Sequence, residues 1–161
     1  MTTPSLLTEA RSLLTACRAR GIRLATAEGC TGGLIIATLT AIAGSSDVVD
    51  CGFVTYSNAA KHEVLGVPME LITRAGAVSD EVVRAMAEGA LDRSHANVAV
   101  SVTGLAGPAG GNAEKPVGLV CFGLARRGQA VTGGHQVFLG DRAAIRTAAV
   151  AYVFAMIRER T

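Results

Sequence analysis

Only two of the fifteen basic residues are lysines, Lys61 and Lys115. Arginine keeps its proton in any protein environment, whereas a desolvated lysine amine can lose it near neutral pH and act as a base. Lys61 closes the run AGSSDVVDCGFVTYSNAAK, which also holds Ser45, Ser46 and Tyr56. A hydroxyl beside a neutral amine is one way to activate a nucleophile without histidine. If the loop at Gly44-Ser45-Ser46 folds over the sheet edge that presents Tyr56 and Lys61, its hydroxyls reach the amine and Tyr56 relays or orients. The same residues also suit a plain loop, a wall tyrosine and a solvated helix lysine.

Three further segments have residues suited to chemistry. E-G-C-T-G-G at 28–33, with Cys30, Thr31 and Gly32, lies between a strand and a helix, so its backbone N–H groups can face an anion or an oxyanion. Cys30 could be a nucleophile there or simply pack. The stretch from Thr103 and Gly104 to Gly111 is glycine-rich and suits a phosphate cradle, with Lys115 at its end to neutralise charge. Arg142 and Arg146, one helical turn apart, could form a phosphate fork or a surface pair. His62, His95 and His135 lack ligand spacing, so no metal site is expected.

These segments need elements to position them. Thr3-Pro4 opens a helix that Gly21 stops, and 22–27 reads as a buried strand. A helix with Leu34, Ile35, Ile36, Leu39 and Ile42 follows, then a polar loop at 43–47, a strand at 48–56 and a short helix at 58–65 ended by Gly66. A helical turn at 68–73 leads to a longer helix capped by Ser79, a strand at 97–102, and the loop TGLAGPAGGNAEK, long enough to suggest function. Strands at 117–126 and 130–139 should pair antiparallel across a tight turn, before a last helix capped by Asp141. The order α β α β α α β β β α implies a mixed sheet with helices on both faces.

At 161 residues, 50% hydrophobic, 17% charged and 4% aromatic, the composition suits one α/β domain spanning 1–161. Net charge is +2 with no basic block and no aromatic-basic interleaving, so nucleic acid is not an expected partner. No apolar stretch approaches the ~20 residues of a membrane span. The four cysteines show no C-x-x-C pair, which points to a reduced, cytoplasmic protein. Low charge and an Ala-rich last helix point to a homo-oligomer.

Taken together, ATAEGCTGG, AGSSDVVDCGFVTYSNAAKHEVLGV, GAVSDEVV, AVSVTGLAGPAGGNAEKPVG and GDRAAIR closely resemble the C-terminal domain family of the competence/damage-inducible protein CinA, collinearly from about residue 4 to 158. The resemblance implies a three-layer α/β/α sandwich with a mixed sheet of about five strands. It also implies a nicotinamide-nucleotide amidase acting on a small-molecule nucleotide, with neither metal nor organic cofactor. The family's serine, tyrosine and lysine fall on Ser46, Tyr56 and Lys61, and its ligand-facing threonine on Thr103. Ser46 would attack the carboxamide after Lys61 takes its proton. Lys115, Arg142 or the glycine loops would hold the 5′-phosphate. The chain departs from the family in one place, where A-E-S-C-T-G-G has become A-E-G-C-T-G-G at Gly29. If that missing serine is essential, the chain is a weak or inactive pyridine-nucleotide-binding module.

Overall fold

The computed structural model describes residues 2–161. The elements run α1 (Pro4–Ala19), β1 (Leu24–Glu28), α2 (Leu34–Thr40), a 3-10 turn (Ser45–Asp47), β2 (Val49–Val54), α3 (Asn58–Leu65), α4 (Met69–Ala75), α5 (Asp80–Asp92), β3 (Val98–Gly104), β4 (Leu119–Arg126), β5 (Thr132–Val137) and α6 (Arg142–Arg160). The strands form one sheet in the order β2-β1-β3-β4-β5. β1 pairs parallel with β2 and β3, and β3–β4 and β4–β5 are antiparallel.

Alternation along the strands divides the core into two layers. Leu24, Val98, Val100, Val102, Val120, Phe122 and Leu124 face α1, α2 and α6. Ala25, Ala27, Ala99 and Ala125 face the layer of α3, α4 and α5, where Leu65, Ile72, Val82 and Met86 meet them. The small side chains on this second face let α5 lie close to the sheet, and the Ser101 hydroxyl donates to the Val83 carbonyl of α5. The three-layer α/β/α sandwich with a mixed five-stranded sheet thus matches the expectation from the sequence.

Caps mark the helix ends where the residue types require them. Thr3, Ser57, Ser79 and Asp141 each accept a backbone N–H of the first turn of α1, α3, α5 and α6. Gly66 ends α3 at φ 72°, a left-handed conformation that a residue with a Cβ avoids.

Two boundaries differ from the sequence reading in ways that matter for the site. β3 continues through Thr103 and Gly104, because β4 supplies partners as far as the Gly104–Val120 pair. β2 stops at Val54, so Tyr56 lies beyond the strand end. The order reverses at β1, whose parallel neighbours β2 and β3 lie on opposite sides. A crevice therefore opens beyond the carboxyl ends of these three strands, the usual place for ligands in such sheets.

Candidate active site

That crevice holds a cavity of about 190 Å³, lined by residues from each strand end: Gly29 and Cys30 after β1, Tyr56, Asn58 and Lys61 after β2, and Thr103, Gly104 and Ala106 at the end of β3. Ala77 and Val78, from the link between α4 and α5, and Arg142 from α6 complete the wall. Backbone bonds bring these ends together. Gly29 N–H donates to Val102 O at 2.8 Å, and Thr55 N–H to Glu28 O at 2.9 Å.

Lys61 is only 3% exposed. Its Nζ donates to Thr55 O at 2.9 Å and to Tyr56 O at 3.4 Å, and no carboxylate pairs with it among the described residues. A neutral amine has two N–H bonds and one lone pair, so two carbonyl acceptors satisfy its donors and leave the lone pair free. Burial disfavours the ammonium and holds the Lys61 pKa below the ordinary 10.5; a thiolate at Cys30 would pull the other way. The Cys30 thiol is itself pushed up to about 11 by burial, and its side chain packs in the core beneath α1, α2 and α6.

The glycine turn is organised by Glu28, which is fully buried. One carboxylate oxygen accepts from Thr31 Oγ1 at 2.7 Å, Gly33 N at 3.1 Å and Ile35 N at 3.0 Å, and the other from Ile36 N at 2.9 Å. The start of α2 is therefore already neutralised from within the chain, so its helical N–H groups are not free to bind an anion. Among the described residues no other residue accepts from the amides of Cys30 and Thr31, and of the two only Cys30 lines the cavity. Thr103 donates its hydroxyl proton to Ala77 O at 3.0 Å. At the mouth Tyr56 is 63% exposed, and its hydroxyl accepts from Arg142 Nη2 at 2.9 Å while Arg142 Nη1 donates to Gly107 O.

The structure brings Tyr56, Lys61, Cys30, Thr103, Gly104 and Arg142 together around one cavity. It does not bring Ser45 or Ser46 there. Both lie in the 3-10 turn before β2, with Ser46 exposed, whereas Lys61 follows the opposite end of that strand. The intervening six residues of extended chain place them about 20 Å apart at ~3.3 Å per residue. The assignment of Ser46 as a nucleophile activated by Lys61 is corrected accordingly. Lys115 is also displaced, since its Nζ donates to Ala75 O at the end of α4 and it borders a neighbouring cavity with Asp80, Glu114 and His135. Thr31 is buried against Glu28, and Gly32 lies outside the cavity lining. Arg142 and Arg146 form no fork, because Arg146 Nη2 is tied to Thr31 O at 2.7 Å.

Glu28 escaped the sequence reading. An acid at the end of a strand, just before a glycine turn and a helix start, was the available signal, because helix N-termini favour negative charge. Asn58, Ala77, Val78 and Ala106 also line the cavity. The alanines and the valine have no chemistry that a sequence pattern could flag. Among the described residues no group of three or more His, Cys, Asp or Glu side chains could hold a metal ion, and no helix is long and apolar enough to cross a membrane.

Relatives share this fold and much of the sequence. The crystal structure of competence/damage inducible protein CihA from Agrobacterium tumefaciens superposes with a TM-score of 0.94 at 47% identity, covering 99% of this chain and 97% of that one. The nicotinamide-nucleotide amidohydrolase PncC of Enterobacter agglomerans is 54% identical over 137 residues, 85% of this chain and 84% of its own length. PncC of Escherichia coli K12 is 48% identical over 153 residues, 94% and 92% of the two chains. The chain spans only 34% of a 53% identical protein of Symbiobacterium thermophilum with a competence-damage inducible name. A profile of the CinA C-terminal domain matches residues 7–161, and the chain belongs to the CinA C-terminal domain family.

Proposed function

We propose that the chain hydrolyses the carboxamide of nicotinamide mononucleotide, giving nicotinate mononucleotide and ammonia. The observation behind this reading is the Lys61 amine, buried beside a small cavity with two carbonyls as its acceptors and no carboxylate partner, a setting that favours the neutral base. The names of the Enterobacter and Escherichia relatives supply the substrate.

The cavity supports that substrate by its size. At about 190 Å³ it exceeds the roughly 150 Å³ that admits benzene in an engineered cavity, so a pyridine carboxamide fits inside while ribose and phosphate remain at the mouth. There the exposed Tyr56 ring offers a flat surface, and the Arg142 guanidinium, held by Gly107 O and the Tyr56 hydroxyl, offers its remaining N–H donors and its charge to a phosphate. Lys61 is the general base, and the Cys30 N–H on the cavity wall serves as donor to the oxyanion, where one such donor contributes roughly 3 kcal/mol. The four free cysteines suit an enzyme working in the reducing cytoplasm.

Ammonia release from nicotinamide mononucleotide by the purified protein tests the reading, with nicotinamide as comparison and Lys61→Ala as control. Turnover of the nucleotide, little of the bare base and none by Lys61→Ala is the expected pattern. A second reading is favoured by one observation, the absence of any serine from the cavity lining. It is a pyridine-nucleotide-binding module without hydrolysis, for which the nucleotide would raise the melting temperature while no ammonia appears.

A further inference from the structure

Hydrolysis of an amide by way of a covalent intermediate needs a side-chain nucleophile within reach of the base, and the cavity does not supply one. Its lining contains a single thiol, one aliphatic hydroxyl and one phenol, those of Cys30, Thr103 and Tyr56. Cys30 is packed in the core. The phenol stands at the mouth as an acceptor for Arg142. The Thr103 hydroxyl has already committed its proton to Ala77 O, so that proton is not directed at the Lys61 lone pair.

Gly29 provides what is needed for a different route. It has no side chain, and a Cβ there would lie 3.6 Å from Thr103 Oγ1 and 3.2 Å from Val102 O, on the cavity wall that Lys61 shares. A water molecule beside Gly29 would have three acceptors on this wall: Val102 O, the Thr103 oxygen, which is left as an acceptor because its own proton is used elsewhere, and the amine of Lys61 when it is neutral. Two polar partners are the minimum for a well-held buried water.

We infer that this protein hydrolyses its amide by direct attack of a water held at Gly29 between Lys61 and Thr103, with no covalent enzyme intermediate and with Thr103 as the residue that positions the water. The inference rests on the amidase reading above. Lys61 takes one proton from the water as its oxygen bonds to the carboxamide carbon, and the carbonyl electrons move onto oxygen. As the oxyanion reforms the C=O bond, the C–N bond breaks, and the Lys61 ammonium returns the proton to the departing nitrogen. Ammonia and the acid are the products, and Lys61 is neutral again.

The test is a rapid acid quench during the first turnover of nicotinamide mononucleotide, with ammonia and acid quantified separately and the intact protein weighed. Ammonia and nicotinate mononucleotide should appear together, without a burst and without added protein mass. Gly29→Ser, which puts a hydroxyl in the place of the water, is the positive control for the adduct. Thr103→Val should lower kcat by about 10²-fold, the scale of a misplaced reactant, with KM little changed, and Thr103→Ser should restore most of it. A burst of ammonia or an acyl adduct mapped to Cys30 or Thr103 in the parent overturns this mechanism alone. Absence of ammonia from the parent overturns the amidase reading and the mechanism with it.

Discussion

Replacing Glu28 by Gln tests the foundation of the site. The two side chains have the same shape, but the carboxylate accepts at both oxygens and is charged. With its carbonyl oxygen in the place that accepts from Thr31, Gly33 and Ile35, the glutamine retains three bonds, each weakened by roughly half on losing the charge. Its NH2 then confronts the Ile36 N–H, donor against donor, and that bond is lost. A bond to a charged group contributes about 1.5–3 kcal/mol. Part of the loss is offset because a neutral amide is cheaper to bury than a carboxylate. The net destabilisation should be about 2–4 kcal/mol, or roughly 5–15 °C in Tm at this chain length. Urea and thermal unfolding of both proteins at neutral pH, read by circular dichroism at constant m-value, would measure it. Turnover should fall in parallel, since the disturbed turn bears Gly29 and Cys30. A Glu28→Gln protein melting within roughly 2 °C of the parent would refute the view that this carboxylate organises the turn.

Lys61→Met should lower kcat/KM by about 10³-fold, the middle of the general-base range, and in the parent kcat/KM should rise with pH through an ionisation below the ordinary lysine value. The unfolded chain keeps the proton of residue 61 up to about 10.5, while the folded chain releases it earlier. The stability of the parent relative to Lys61→Met should therefore rise with pH across that interval, and the penalty of the buried ammonium is fully present below it; calorimetry at several pH values measures the trend. Arg142→Leu should raise KM for the mononucleotide by about 10-fold or more and leave the slow turnover of nicotinamide unchanged, which steady-state kinetics on both substrates would decide. Gly89→Ala would drive a methyl group into the Leu65 carbonyl at the end of α3. Overpacking should cost about 1–3 kcal/mol despite the better helix propensity of alanine, a loss visible in thermal melts.

Several features were legible in the sequence because they rest on neighbours in the chain. Helix caps at Thr3, Ser79 and Asp141, the stop at Gly66 and the antiparallel pairing of β4 with β5 all depend on interactions within a few residues or across one turn. Collinear motifs extend that reach to the whole fold through resemblance, and the scarcity of lysine singles out Lys61, whose burial only the fold creates. What the sequence could not order was distance through space. Ser46 and Lys61 are near in sequence, yet the extended β2 holds them at opposite ends of the sheet. Gly29 and Thr103 are far apart in sequence, yet parallel pairing of β1 with β3 sets them on one wall. Strand direction and register decided which hydroxyl shares a cavity with the amine. They arise from pairing and packing summed over the whole sheet, whereas the amino-acid sequence by itself determined only which groups were available to be placed.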